Sequence, residues 1–159
     1  MTRLRVVPCT IRGDELVCVA LAGRPSARLL AECAEVTRVA SVGGEAAQHA
    51  ASMALGAITR ALLALGHTRL VSYTLLGEAG TSYRAAGWWP VAVTRGGEWG
   101  RADRPREAAA QPGRKVRWEY GPAALPRDPE VDTAVRAAVG KVALPARTPV
   151  EPCLFGGYR

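Results

Sequence analysis

The residues best suited to chemistry begin with the pair Gly43-Gly44. Val36, Val39 and Val42 make a short β-prone run that stops at this pair, which can take the positive-φ turn that a strand-to-helix reversal needs. A helix beginning there leaves unpaired backbone N–H groups beside the end of the strand, and these groups with the helix dipole favour an anion. Phosphate binding at Ser41-Val42-Gly43-Gly44-Glu45-Ala46 is the first chemical expectation. A second comes from Arg95, Arg101, Arg104, Arg106 and Arg114 with Trp99, a mixture suited to phosphates and to stacking on bases. These six lie in a long polar connection, which at such a length is either functional or disordered. His49 either approaches a phosphate or lines the first helical turn as a small polar residue.

The elements that must position these groups follow from periodicity. Leu55, Ile58, Leu62 and Leu65 fall at offsets of three and four, predicting a helix from Ala46 to Leu65 with Gly66 as its stop. Leu70 to Leu76 reads as the next strand, Thr81 to Ala86 as a short helix closed by Gly87. A strand, a helical crossover and a second strand imply a parallel pair. Upstream, Leu4 to Ile11 and Glu15 to Leu21 are β-prone runs around Arg12-Gly13-Asp14, a turn signal and an antiparallel hairpin. Downstream, Pro90 to Thr94 and Lys115 to Tyr120 read as two further strands. From Gly121 prolines accumulate, bracketing a helix from Glu130 to Val139 that Asp128 caps with Pro129 at its first position. Val131, Val135 and Val139 form the stripe by which that helix would cover something.

The glycine loop resembles the pyrophosphate loop of the GNAT acetyltransferase superfamily, with Ser41 departing at its first position. Ser82-Tyr83-Arg84-Ala85-Ala86-Gly87-Trp88 is similar to the superfamily's Leu-Tyr-x-Lys-x-Gly-Phe signature, with Tyr83, Gly87 and Trp88 in place. Glu35-Val36-Thr37-Arg38-Val39 and Ser72-Tyr73-Thr74-Leu75 look closest to small phage and prophage GNAT-like proteins similar to the Mom proteins that modify DNA bases. The resemblance runs from about Leu16 to Glu119. It implies an α/β (α+β) fold, a mixed and mostly antiparallel sheet with a central β-α-β-α-β unit. It further implies a GNAT-like domain over residues 1–120, shortened at the N-terminus, and a Pro-rich extension over 121–159.

The same resemblance implies an acyl-coenzyme A-dependent N-acyltransferase of phage or prophage type acting directly on an amine, on DNA or a modified base. Acetyl-coenzyme A or another acyl-coenzyme A would be held by Val39, Ser41, Gly43, Gly44, Glu45, Ala46 and Thr74. Glu35 would take a proton from the acceptor amine, with Glu32 as its runner-up, and Tyr83 would protonate the departing thiolate. Glu35 is equally readable as a strand-edge carboxylate paired with Arg38, and Tyr83 as a residue packing on the sheet. Two other functions stay open: Mom-like adenine modification with an unusual donor, and a non-catalytic GNAT-shaped nucleic-acid-binding or structural module.

Composition bounds these readings. The chain has 159 residues, 48% hydrophobic, enough for one real core. Lys and Arg number 21 against 14 Asp and Glu, and the net charge of +7 with a pI near 9.8 makes DNA a plausible partner. High-GC coding explains such an excess equally well. Cys9, Cys18, Cys33 and Cys153 contain no Cys-x-x-Cys pair and His49 and His67 complete no zinc pattern, so no metal is expected. With no secretory signal or membrane-length apolar run, the expected location is the cytoplasm of a phage-infected or prophage-bearing bacterium. A homodimer through the C-terminal extension is a further expectation, because Cys153 to Tyr158 would leave apolar residues exposed.

Overall fold

The computed structural model describes residues 7–25, 30, 32–95 and 113–141. Strands β1 (Cys9–Arg12) and β2 (Glu15–Gly23) form the expected antiparallel hairpin, with Gly13 at φ 58° in its turn. β3 (Ala34–Ser41) returns antiparallel to β2. After a 3-10 turn at Glu45–Ala47, α1 (Ala50–Ala64) crosses one face of the sheet to β4 (Leu70–Leu75), parallel to β3. α2 (Thr81–Ala85), β5 (Trp89–Thr94), β6 (Lys115–Tyr120) and α3 (Pro129–Ala138) follow. The strand order is β1-β2-β3-β4-β6-β5, and every described pair except β3–β4 is antiparallel.

The core lies between this sheet and α1. Ala54, Leu55, Ile58 and Leu62 turn inward from α1 onto Val17 and Ala20 of β2, Val36 of β3 and Leu70 of β4, all buried. Removing such side chains from water is the main favourable contribution, about 1.5–3 kcal/mol for each large aliphatic group. Further along the sheet the core becomes aromatic. Tyr83 stacks on Trp118 at a centroid distance of 5.3 Å and meets Trp88 edge-on at 5.9 Å. Both buried indoles have partners: Trp88 Nε1 donates to Thr59 Oγ1 and Trp118 Nε1 to Thr74 Oγ1, each at 3.0 Å.

Four sequence expectations shift by a turn or less. α1 starts at Ala50 rather than Ala46, because Gly43, Gly44 and His49 have φ of 82°, 72° and 63°, incompatible with a right-handed helix. The first i to i+4 bond of the turn is Met53 N–H to the His49 carbonyl. Leu65 is exposed, since α1 ends in a Schellman arrangement in which Gly66 and His67 N–H donate to the Leu63 and Leu62 carbonyls. Val42 is exposed beyond the end of β3, and Val139 beyond the end of α3. α3 itself forms as expected: Asp128 accepts from Glu130 and Val131 N–H, Pro129 opens the helix, and Val135 is fully buried in the main core. Asp132 pairs with Arg84, so α3 is tied to α2. The tail from 142 onward, with Cys153 to Tyr158, lies outside the described residues.

Candidate active site

β3 and β4 pair at three positions only, Ala34 with Leu70, Glu35 with Val71 and Val36 with Ser72, and then diverge. The cause lies on the other edge of β3. Between Leu21 and Ala22 the register with β2 slips: Arg38 faces Leu21 and Val36 faces Ala22, leaving Thr37 as an extra, bulged residue. A bulge bends its strand, and this one sits where contact with β4 ends. The result is a wedge-shaped cleft of about 750 Å³ between the separated halves of β3 and β4. α1 lines it with Ala51 and Leu55, and α2 with Ser82 and Tyr83.

Several sequence candidates converge here. Val39, Ser41, Thr74 and Tyr83 line the cleft. Tyr83 reaches its vertex: its hydroxyl is 2.7 Å from Ser72 Oγ, on the last residue of β4 that pairs with β3. Burial pushes the Tyr83 hydroxyl above its ordinary range, Glu78 pushes the same way, and the Ser72 hydrogen bond opposes both. Gly43, Gly44 and Glu45 are exposed in the loop between β3 and α1 and do not form the cleft wall; the backbone of Ala46 belongs to the same 3-10 turn. The free N–H groups of α1 therefore begin at Ala50, and His49 caps the helix with no side-chain bond.

Glu35 is buried beside the vertex but does not line the cleft. Its charge bears on Tyr73, which does. Tyr73 too is pushed up, first by burial and then by Glu35 and Glu119, with Arg117 opposing. Glu32 is exposed and outside the cleft wall.

Sequence reasoning passed over Arg38 and Glu78 as cleft residues. Arg38 is the cationic side chain in the wall among the described residues. Glu78 turns back so that its Oε2 accepts from Leu75 N–H at 2.9 Å. Spacing carried no signal for either, because their position depends on the bulge at Thr37 and on the turn after β4.

Of the basic connection, Arg95 and Arg114 are described and exposed, whereas Trp99, Arg101, Arg104 and Arg106 lie outside the described residues. The stem sits beside the cleft mouth: Lys115 pairs with Leu75, and the Arg114 carbonyl accepts from Leu76 N–H at 2.8 Å.

By sequence, no family model and no curated protein matches the chain. Similarity of fold is clear. A Bacillus subtilis acetyltransferase solved in complex with CoA superimposes over 70% of this chain and 72% of its own, with TM-score 0.52 and 14% identity. A ribosomal-protein-alanine N-acetyltransferase from Brucella melitensis does so over 74% and 68%, with TM-score 0.57 and 13% identity. An aminoglycoside 6'-N-acetyltransferase from Enterococcus faecium covers 78% and 75%, with TM-score 0.53 and 12% identity. The fold is that of the GNAT acetyltransferases. At these identities the likeness concerns the backbone, so the chemistry has to be argued from this chain's own cleft.

Proposed function

We propose that the protein is an acyl-coenzyme A-dependent N-acyltransferase whose donor lies in the cleft between β3 and β4. The observation that carries this is the wedge itself: two diverging parallel strands leave backbone donors and acceptors free to pair with an extended, amide-bearing arm, and Tyr83 closes the narrow end. The wide end suits a diphosphate. There Ser41, Arg38 and the first N–H groups of α1 adjoin the Gly43-Gly44 loop, offering positive potential and close backbone approach.

In the reaction, the acceptor amine attacks the thioester carbonyl carbon, a C–N bond forms and the C–S bond breaks. Glu35, buried one residue before the vertex and behind the cleft wall, accepts the amine's proton through an intervening water, and the Tyr83 hydroxyl gives its proton to the departing sulfur. No covalent enzyme intermediate is required. The basic stem at Arg95 and Arg114 beside the cleft mouth, with the overall charge of +7, favours an amino group on DNA or on a modified base as acceptor. This phage-type reading includes Trp99, Arg101, Arg104 and Arg106 as phosphate and base contacts. Residues 121–159 would act as an extension that also mediates self-association, and the working compartment would be the bacterial cytoplasm.

Thermal denaturation with acetyl-coenzyme A tests the donor. A ligand that binds only the folded state adds about 2.7 kcal/mol of stability at a hundred times its dissociation constant. Gly44→Asp places a like charge where backbone must approach the diphosphate, so it should remove that gain; unchanged affinity in a folded variant would move the donor elsewhere. Nucleoside mass spectrometry of DNA from expressing cells tests the acceptor. Replacing Arg101, Arg104 and Arg106 together by Ala should flatten the log–log salt dependence of duplex binding by about two to three units.

A further inference from the structure

The hydroxyl of Ser72 is almost inaccessible, at 1% exposure, and serves two neighbours: it lies 2.8 Å from the Val36 carbonyl oxygen and 2.7 Å from the Tyr83 hydroxyl. A serine has one hydrogen to give, and a carbonyl can only accept. Ser72 therefore donates to Val36, and Tyr83 donates to Ser72. In the resting arrangement the Tyr83 proton points at Ser72 rather than at the position a departing sulfur would occupy.

We infer that Ser72 is a positioning residue that acts through Tyr83 by reversing its own hydrogen bond. This rests on the cleft being the thioester site. Tyr83 Oη–H turns from Ser72 towards the sulfur and transfers its proton as the C–S bond breaks. The Ser72 hydroxyl then rotates from the Val36 carbonyl to Tyr83 and donates to the phenolate that has formed. Water reprotonates the phenolate after the thiol leaves, and Ser72 returns to Val36. The exchange needs only the rotation of two hydroxyls, about Tyr83 Cζ–Oη and Ser72 Cβ–Oγ. The rings packed on Tyr83, Trp118 and Trp88, carry no charge, and the ionisable side chain whose charge acts on it among the described residues is Glu78. A phenolate there has few other means of support, and the Ser72 hydrogen bond is what draws the Tyr83 hydroxyl back towards its ordinary range.

Ionisation of Tyr83 separates a reversing serine from a fixed one without turnover. It is read as the ultraviolet difference between a protein and the same protein carrying Tyr83→Phe. A fixed Ser72 only accepts from neutral Tyr83, so Ser72→Ala would make ionisation easier; a reversing Ser72 supports the phenolate, so Ser72→Ala makes it harder. We expect the second order, and the first order, or no change, overturns the inference. Ser72→Cys, of nearly the same size and a weaker donor, should also ionise at higher pH than wild type, and supplies the comparison if the alanine variant fails to fold. With acetyl-coenzyme A, folded Ser72→Ala should lose about tenfold in turnover while its KM for the donor stays unchanged. Wild type that gains no thermal stability from acetyl-coenzyme A would overturn the donor reading and with it the assigned role, whatever the titration gives. Wild type that gains it while Ser72→Ala turns over normally would overturn the inference alone.

Discussion

The two edges of β4 behave differently. Towards β6 it is paired at all six residues, Leu70 to Leu75; towards β3 it is paired at Leu70, Val71 and Ser72 only. The closed edge is reinforced by side chains. Arg69 binds Glu119 through two hydrogen bonds of 2.9 and 2.7 Å, Arg117 Nε adds an ion pair at 3.1 Å, and Glu119 also accepts from Leu125 N–H. The fully buried Glu119 is thus surrounded by donors, and its hydrogen bond is the first reason the Arg69 guanidinium is held above its ordinary range. Across the open edge Thr37, Ser41 and Thr74 line a cavity together with Arg38 and Tyr73. One strand therefore serves as rigid scaffold on one side and binding surface on the other, and the switch is made by a bulge in its neighbour.

The largest effect should come from breaking the closed edge. Glu119→Ala leaves two arginines against a buried void and should cost about 3–5 kcal/mol in urea unfolding. Gly80→Ala comes next. Gly80 has φ 62°, and a Cβ there would stand 2.1 Å from Trp118, so left-handed strain and overpacking together should cost about 2–4 kcal/mol. Thr74→Val bridges the two edges, because Thr74 faces the cleft and accepts from Trp118. Orphaning that indole should cost about 1–3 kcal/mol, and calorimetric titration of the folded variant with acetyl-coenzyme A will show whether Thr74 also serves the donor.

The smallest effect lies away from the seam. Burial raises the Asp132 carboxyl, but hydrogen bonds from Arg84 and Arg136 outweigh it, so its folded value lies below the ordinary one. That stabilisation is present above the unfolded carboxylate range and is lost as pH falls through the folded value. The pair is partly exposed, so the loss should be under about 1 kcal/mol and absent in Asp132→Asn, as thermal melts across acid pH will show.

Much of this arrangement was legible in the sequence because it is local. The α3 start at Asp128-Pro129, the reversal at Gly13, the inward face of Leu55, Ile58 and Leu62 and the stop at Gly66 each depend on neighbours within a turn or two. Candidate chemistry was legible to the extent that residue types announced it: the Gly43-Gly44 loop does take positive φ, and Tyr83 does line the cleft. The length of the loop was not legible, since consecutive left-handed residues and a 3-10 turn postpone α1 to Ala50 while leaving the hydrophobic period intact.

Tertiary structure alone decided where the strands part. Thr37 is a bulge only because Leu21 and Ala22, far away in sequence, set the register against β3, and a period-two pattern is blind to a partner's register. The same holds for the service each polar group performs. Nothing in the spelling of Ser72 and Tyr83 says that one hydroxyl meets the other and a carbonyl of β3; that meeting requires β3, β4 and α2 to converge on one point. Short-range sterics and hydrophobic period determine the local turns and faces from the sequence alone, whereas the site depends on hydrogen-bond register between distant strands, which only the folded chain defines.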